Sequence, residues 1–209
     1  RNGAELADRL ISPVMERIGH GWMVGSLDVY QEHLASSIVA AAVQERVDEL
    51  GIERSAESPR QRAMGATTEG DFYVLPGLLA ELALREQGWD VRNLGTNLPL
   101  RSLANAAREL RPRLIFISIN YLKDEDRFIR EYFAFYQAVG DMDAAVILGG
   151  RALRPELRAR LPYTAFGDRM PHLAEFARRF TPRETTSAPS PPEIASDGHE
   201  ASRSPEHHE

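Results

Sequence analysis

The sequence predicts an α/β fold, a doubly wound five-stranded parallel sheet behind an N-terminal helical-bundle cap. Three observations lead there. Residues 3–50 carry helical signals throughout, residues 62–180 alternate apolar strand runs with amphipathic helices, and residues 181–209 lose hydrophobic patterning altogether.

In the first stretch Leu6, Leu10, Val14, Ile18 and Trp22 recur every fourth position and predict one apolar helix face. Pro13 follows Ser12, which predicts a kink or a fresh N-cap. Gly19-His20-Gly21 should interrupt the helix. A second helix is expected from Ser26, as N-cap, to Leu50, with Gly51 as its stop. Two helices with one apolar face each cannot close a four-helix bundle, so partners are expected upstream or in another subunit.

The second stretch begins with a weak small-residue strand, Ala63–Thr67. A helix follows with Leu75, Leu78, Leu79 and Leu82 at helical spacing, ending near Gly88. Then come strand Asp90–Leu94, helix Arg101–Leu110, strand Leu114–Ile119, helix Asp124–Val139 and strand Ala144–Leu148. A short helix after Pro155, strand Tyr163–Phe166 and helix Pro171–Phe180 complete the series. Five strands alternating with helices indicate a flavodoxin-like sheet. Ligands of such sheets sit beyond the carboxyl ends of the strands, which directs attention to the loops after Thr67, Leu94, Ile119, Leu148 and Phe166.

Composition removes several classes of function. The 209 residues include no cysteine, so disulfides, zinc knuckles and thiol catalysis are excluded. No apolar run approaches the roughly 20 residues of a membrane span, and no signal peptide is visible, so a cytoplasmic location is expected. The first residue is Arg1, which suggests a piece of a longer chain. The net charge of −6 resides mostly in residues 182–209, where two arginines face six acidic residues. No basic stripe with interleaved aromatics occurs, so direct nucleic-acid binding is not expected. Lys123 is the single lysine, which weakens a receiver-domain or Schiff-base reading. Residues 181–209, rich in Pro, Ser and Glu and including His199, His207 and His208, have the composition of a flexible linker. The expected organisation is therefore a helical cap at 1–55, a Rossmann-like domain at 56–180 and a linker at 181–209.

The loops are specific in combination. The first reads Glu69-Gly70-Asp71-Phe72-Tyr73-Val74-Leu75-Pro76-Gly77 and the second Leu94-Gly95-Thr96-Asn97-Leu98-Pro99. The third strand ends Ser118-Ile119-Asn120, and the fourth ends Leu148-Gly149-Gly150-Arg151-Ala152. In this order they resemble a cobalamin-binding domain, with its D-x-H-x-x-G loop, its leucine-glycine second loop, its S-x-L or S-x-T strand and its Gly-Gly loop. The resemblance covers residues 62–180. Any one loop alone has an ordinary reading as turn chemistry.

A second pattern lies in the helices. Trp22 is followed after nine residues by Glu32-His33, and this W-x9-E-H spacing resembles the helical cap of CarH-type adenosylcobalamin photoreceptors. The resemblance implies that Trp22 covers the adenosyl group and that Glu32 and His33 reach the same ligand. An aromatic covering an apolar face and a carboxylate pairing with ribose hydroxyls are sound chemistry. Without the resemblance, Trp22 reads as a bundle-core residue and Glu32-His33 as a solvated face. The cofactor-binding set implied is Trp22, Glu32, His33, Asp71, Phe72, Tyr73, Val74, Leu75, Thr96, Asn97, Ser118, Asn120, Tyr121, Gly149, Gly150, Phe166 and Gly167.

The departures are equally specific. The family's loop histidine, the lower axial ligand to cobalt, falls on Tyr73, and its loop glycine on Pro76. A phenol with an ordinary pKa near 10 is a poor cobalt ligand. Asp71, which orients that histidine in the family, has no imidazole to hold. Met23 stands where some relatives carry a histidine, and His20 is nearby but out of place. A second planar chromophore on the lower face is one consequence; photocobilins, which pair cobalamin with biliverdin, are relatives with such a face. Haem-binding relatives of the same fold are another.

The resemblance thus implies a light-sensing module that binds adenosylcobalamin, with biliverdin as a candidate second chromophore, a homo-oligomeric assembly and an output domain beyond the linker. A corrinoid carrier or mutase module, and a flavodoxin-like interaction domain with an empty pocket, are the alternatives. No nucleophile–base constellation appears among Asp71, Asp168 and Glu69, so catalysis by this piece is not expected.

Overall fold

The computed structural model describes residues 2–53 and 61–180; the linker expected at 181–209 lies outside them. Five parallel strands, β1 (Arg62–Thr67), β2 (Asp90–Asn93), β3 (Leu114–Ser118), β4 (Ala145–Gly149) and β5 (Ala165–Gly167), pair in the order β2-β1-β3-β4-β5. This is the flavodoxin-like order. Each strand lies within about two residues of its predicted bounds.

β3 is buried along its whole length because both faces of the sheet are covered. On one face Met64, Ile115, Ile117 and Leu148 pack against Leu103 of α5 (Leu100–Leu110), Phe128, Tyr132 and Phe135 of α6 (Glu125–Val139) and Leu157 of α7 (Pro155–Arg158). On the other, Ala63, Leu114, Phe116 and Ile147 meet Ala80 and Leu84 of α4 (Val74–Glu86) and Leu173 and Ala177 of α8 (Met170–Arg179). Gly65 is required here, since a Cβ would stand 2.3 Å from the Phe116 ring.

The N-terminal helices form a third layer on α4 and α8. α1 (Gly3–Leu6) passes through a π-helical turn at Ala7–Ile11 into α2 (Ser12–Met23), and α3 (Val29–Glu53) returns antiparallel to it. Val43, Val47 and Leu50 of α3 share one cluster with Ala7, Ile11 and with Leu78, Leu79 and Leu82 of α4. The start of α1 is fastened where both Glu86 carboxyl oxygens accept from Gly3 N, at 2.8 and 2.7 Å.

Several helical expectations need correction. The Leu6–Trp22 stripe is not the buried face: Ala4, Ala7 and Ile11 are buried, while Leu10, Val14 and Trp22 are exposed. Small residues win because they let the backbone close on α4; a Cβ on Gly3 would lie 2.6 Å from Leu82. The π turn also adds a residue just before Pro13, which has no N–H to give, and so shifts the phase of the faces. Gly19-His20-Gly21 does not interrupt α2. Ser26 donates from Oγ to Gly21 O, closing the turn instead of capping α3, and the Gln31 side chain accepts from Asp28 N at the helix start. Gly51 lies inside α3, not after it.

The layering places the hairpin tip. Gly3 and Gly51 both lie beside the C-terminal end of α4, at Leu82 and Arg85, so α3 runs parallel to α4. With 25 residues against 13, α3 outreaches α4 by roughly 18 Å at 1.5 Å per residue. The N-terminus of α4 follows the carboxyl end of β1, so the α2–α3 tip stands beyond the carboxyl edge of the sheet. Among the described residues no helix is long and apolar enough to cross a membrane.

Candidate cofactor site at the carboxyl edge of the sheet

The loops after β1, β2 and β3 are tied into one polar lattice centred on Asp71, which has no exposed surface. Its Oδ2 accepts from Asn120 N at 2.6 Å and Asn120 Nδ2 at 3.1 Å, and its Oδ1 accepts from Tyr73 N at 3.1 Å. Asn120 Nδ2 also donates to Ser118 Oγ at 3.0 Å. Asn97, in the left-handed region at φ 56°, bridges the first two loops: its Oδ1 accepts from Gly70 N, and its own N donates to Asp71 O and Thr67 Oγ1. Thr67 Oγ1 in turn donates to Asp71 O at 2.7 Å.

Above this lattice the surface turns apolar and bare. Phe72, Tyr73, Val74 and Tyr121 are all exposed, Phe72 at 69%. Arg151, from the Gly-Gly loop after β4, donates from Nη2 to Tyr73 Oη at 2.6 Å, with its Cζ 4.7 Å from the ring centroid. Gly150, at φ 105°, lets that loop pass close to β3: a Cβ there would meet Ile119 O at 2.4 Å. Phe166 lies beneath the Arg158 guanidinium at 3.7 Å, and Asp168 pairs with the same arginine. On the rim, the Glu131 carboxylate, then that of Glu69, holds Arg127 above its ordinary pKa.

The opposite wall is the projecting hairpin. At 100° per residue, Glu32 and Ser36 fall on the side of α3 that carries Val43, Val47 and Leu50, the side turned toward α4. Ser36 Oγ donates to Glu32 Oε1 at 2.8 Å, and His33 is exposed beside it. Trp22 (52% exposed), Met23 and Val24 form a bare apolar tip. His20 lines a separate groove with Pro13, Glu16, Arg17, Gly21 and Ser26.

The structure thus places Trp22, Glu32 and His33 on the hairpin and Asp71, Phe72, Tyr73, Val74, Asn97, Asn120, Tyr121 and Gly150 in the loops at the carboxyl edge of the sheet. Thr96 is half-buried in the second loop. Leu75 packs into the α3–α4 cluster, and Gly149 and Gly167 are ladder partners in the sheet. Sequence reasoning did not single out Thr67, or Arg151 as the partner of Tyr73. Thr67 reads as a strand residue, and Arg151 meets a residue 78 positions away.

Exposed aromatic residues, Phe72, Tyr73 and Tyr121 in the loops and Trp22 on the hairpin, thus gather toward the carboxyl edge of the sheet. Residues 4–46 match the family described as B12 binding domain. That match contains the W-x9-E-H segment and so bears out the cobalamin-family resemblance from the helical side. The chain is 26% identical over 152 residues to the HTH-type transcriptional repressor CarA of Myxococcus xanthus, covering 73% of this chain and 49% of CarA. It is 31% identical over 112 residues to the repressor CarH of the same organism, covering 53% of this chain and 36% of CarH. The chain therefore spans half or less of the length of these curated relatives. In fold it is similar to the monomethylamine corrinoid protein of Methanosarcina barkeri (TM-score 0.68, 14% identity, 85% of this chain and 84% of that one). It is also similar to a cobalamin-binding protein from Desulfitobacterium hafniense (TM-score 0.51, 18% identity, 85% and 95%). The match to the B12-binding family falls on the hairpin, and the likeness to solved corrinoid proteins extends over the sheet.

Proposed function

We propose that this chain is a light-sensing regulatory module that binds adenosylcobalamin between its helical cap and its Rossmann-like domain. The observation that carries the reading is the exposure of two apolar segments, Trp22-Met23-Val24 on the projecting hairpin and Phe72-Tyr73-Val74 at the carboxyl edge, where α/β sheets bind ligands. The B12 family match on residues 4–46 supports the choice of ligand.

The fit can be judged on the residues present. The exposed apolar segments suit a large flat ring, Gly150 admits close backbone approach, and the buried Thr68 hydroxyl has no hydrogen-bond partner among the described residues. Lower nitrogen ligation does not fit: Tyr73 stands in place of the imidazole, and the described histidines (His20, His33 and His172) lie on α2, α3 and α8. When bound, adenosylcobalamin supplies a visible-light-cleavable Co–C bond. Trp22 would shield the bound group from water, and Glu32, turned inward and oriented by Ser36, would accept from its ribose hydroxyls. Without a group for Trp22 and Glu32 to hold, the hairpin would be free to shift on its base. In this reading that shift changes homo-oligomeric assembly or an output domain elsewhere in the protein. Exposed Phe72, Tyr73 and Tyr121 support biliverdin as a second chromophore.

The test is a visible spectrum of protein reconstituted with adenosylcobalamin in the dark and desalted, before and after green illumination. A retained corrin spectrum that changes irreversibly is expected. A retained spectrum inert to light favours a corrinoid carrier instead, and no retained corrin contradicts the proposal. A far-red band after addition of biliverdin supports the second chromophore; its absence removes that part.

A further inference from the structure

Arg151, a cation at the carboxyl edge, is held in place with no carboxylate to answer its charge. In the segment from the Gly-Gly loop to the start of α8, Arg154, Arg158, Arg160 and Arg169 each pair with an acidic side chain: Glu125, Asp168, Glu125 with Asp126, and Asp8. Arg151, exposed in the same segment, pairs with no carboxylate among the described residues. It donates instead to a phenol, from Nη2 to Tyr73 Oη at 2.6 Å. Of the acids in the first loop, Glu69 is taken by Arg127 and Asp71 is fully buried.

The guanidinium is also ordered. Just past Arg151, Ala152 N donates to Ile119 O at 2.9 Å and Leu153 N donates to Gly150 O at 3.1 Å, which ties this turn to the end of β3. The side chain lies over the Tyr73 ring, with Cζ 4.7 Å from its centroid. A guanidinium has five N–H donors in a fixed fork, and the phenol engages one of its nitrogens, so donors remain for an oxyanion. An arm that is already ordered loses less freedom on pairing than a free one. Between exposed aromatics, where the α/β sheet receives its ligand, this is a preset positive charge.

We propose that Arg151 pairs with an oxyanion carried by the ligand bound at this edge. The proposal rests on the cobalamin reading above and assigns the ligand's charge, rather than its ring, to the Gly-Gly loop. Adenosylcobalamin carries such a group in the phosphodiester of its nucleotide tail, and biliverdin carries two in its propionates. The chemistry that recognises them is the same, and the measurement separates them.

The full chain is titrated in the dark with adenosylcobalamin and with adenosylcobinamide, which lacks the nucleotide tail and its phosphate. It is titrated separately with biliverdin and with biliverdin dimethyl ester. Affinities are read from visible absorbance for the wild type, Arg151→Gln and Arg151→Lys. If the phosphodiester is the partner, Arg151→Gln should weaken adenosylcobalamin about tenfold and leave adenosylcobinamide within about twofold. If a propionate is the partner, the same contrast should separate biliverdin from its ester. In either case Arg151→Lys should recover part of the loss, and added salt should weaken the partner ligand more in the wild type than in Arg151→Gln. Equal losses within both ligand pairs would make Arg151 a packing residue for Tyr73 and overturn the proposal, as would no loss in either pair. Circular dichroism establishes folding, and the salt dependence of the wild type alone keeps the test open if Arg151→Gln does not fold: affinities indifferent to salt in both pairs would overturn the proposal. Failure of the wild type to retain any corrin is a different outcome: it removes the cobalamin reading itself, and this inference with it.

Discussion

The two walls of the cleft are built on opposite principles. The sheet-edge wall is a lattice in which Asp71, Asn97, Asn120 and Thr67 cross-link three loops over a core buried on both faces. The hairpin wall is held at its base, by the α3–α4 cluster and by Gly3 on Glu86, while its tip carries exposed Trp22, Met23, Val24, Tyr30 and Leu34. Under the proposed function, the fixed floor would keep the ligand's position and the roof, with few contacts of its own, would respond to what the ligand becomes. Local opening follows low contact density, so movement is expected in the tip.

Removing the centre of the floor should have the largest effect. Asp71→Ala strands the donors of Asn120 and Tyr73 in a buried site and should cost about 3 kcal/mol in chemical denaturation. A cost below about 1 kcal/mol would show that the lattice does not stiffen the floor. Gly3→Val attacks the base of the roof. Its Cβ would overlap Leu82, and a loss of about 2 kcal/mol is expected, with hydrogen exchange quickening in α1–α3 while β1 and β3 stay protected. Equal quickening in both layers would mean that roof and floor open together.

A smaller effect lies deep in the floor. Burial, and then the neighbouring Tyr136, hold the Tyr132 hydroxyl well above the ordinary tyrosine pKa, and it donates to Pro162 O at 2.6 Å. Its contribution is therefore complete below the unfolded value near 10 and is lost as pH rises beyond it. Tyr132→Phe should cost about 1 kcal/mol at pH 7 and should flatten the fall in stability above pH 10. An unchanged alkaline limb in urea titrations would assign that fall elsewhere. The smallest stability effect belongs to the roof tip. Trp22→Ala should leave the midpoint within about 0.5 kcal/mol, since half the side chain is already in water, yet weaken corrin retention about tenfold or more. A large loss of stability would make Trp22 a packing residue.

The same contrast separates what the sequence disclosed from what it hid. β3 and β4 are continuous apolar runs, and a parallel strand buried on both faces must read that way, so the sheet and its loops were legible. The floor residues Asp71, Tyr73, Asn97 and Asn120 followed, because they sit directly after strands. The hairpin was legible as helix but not in its facing. Gly3, Ala4 and Ala7 bury themselves by closeness to α4, which hydrophobic periodicity does not register, and the π turn moves the phase. Arg151 and Thr67 were hidden for another reason, since their roles exist only once distant loops meet.

The most direct test of a fixed floor under a yielding roof is hydrogen–deuterium exchange with and without adenosylcobalamin in the dark. Amides of residues 22–38 should gain strong protection on binding, while those of β1 and β3 should remain unchanged and slow. Protection confined to the sheet, with no change in the hairpin, would contradict a ligand held between the two walls.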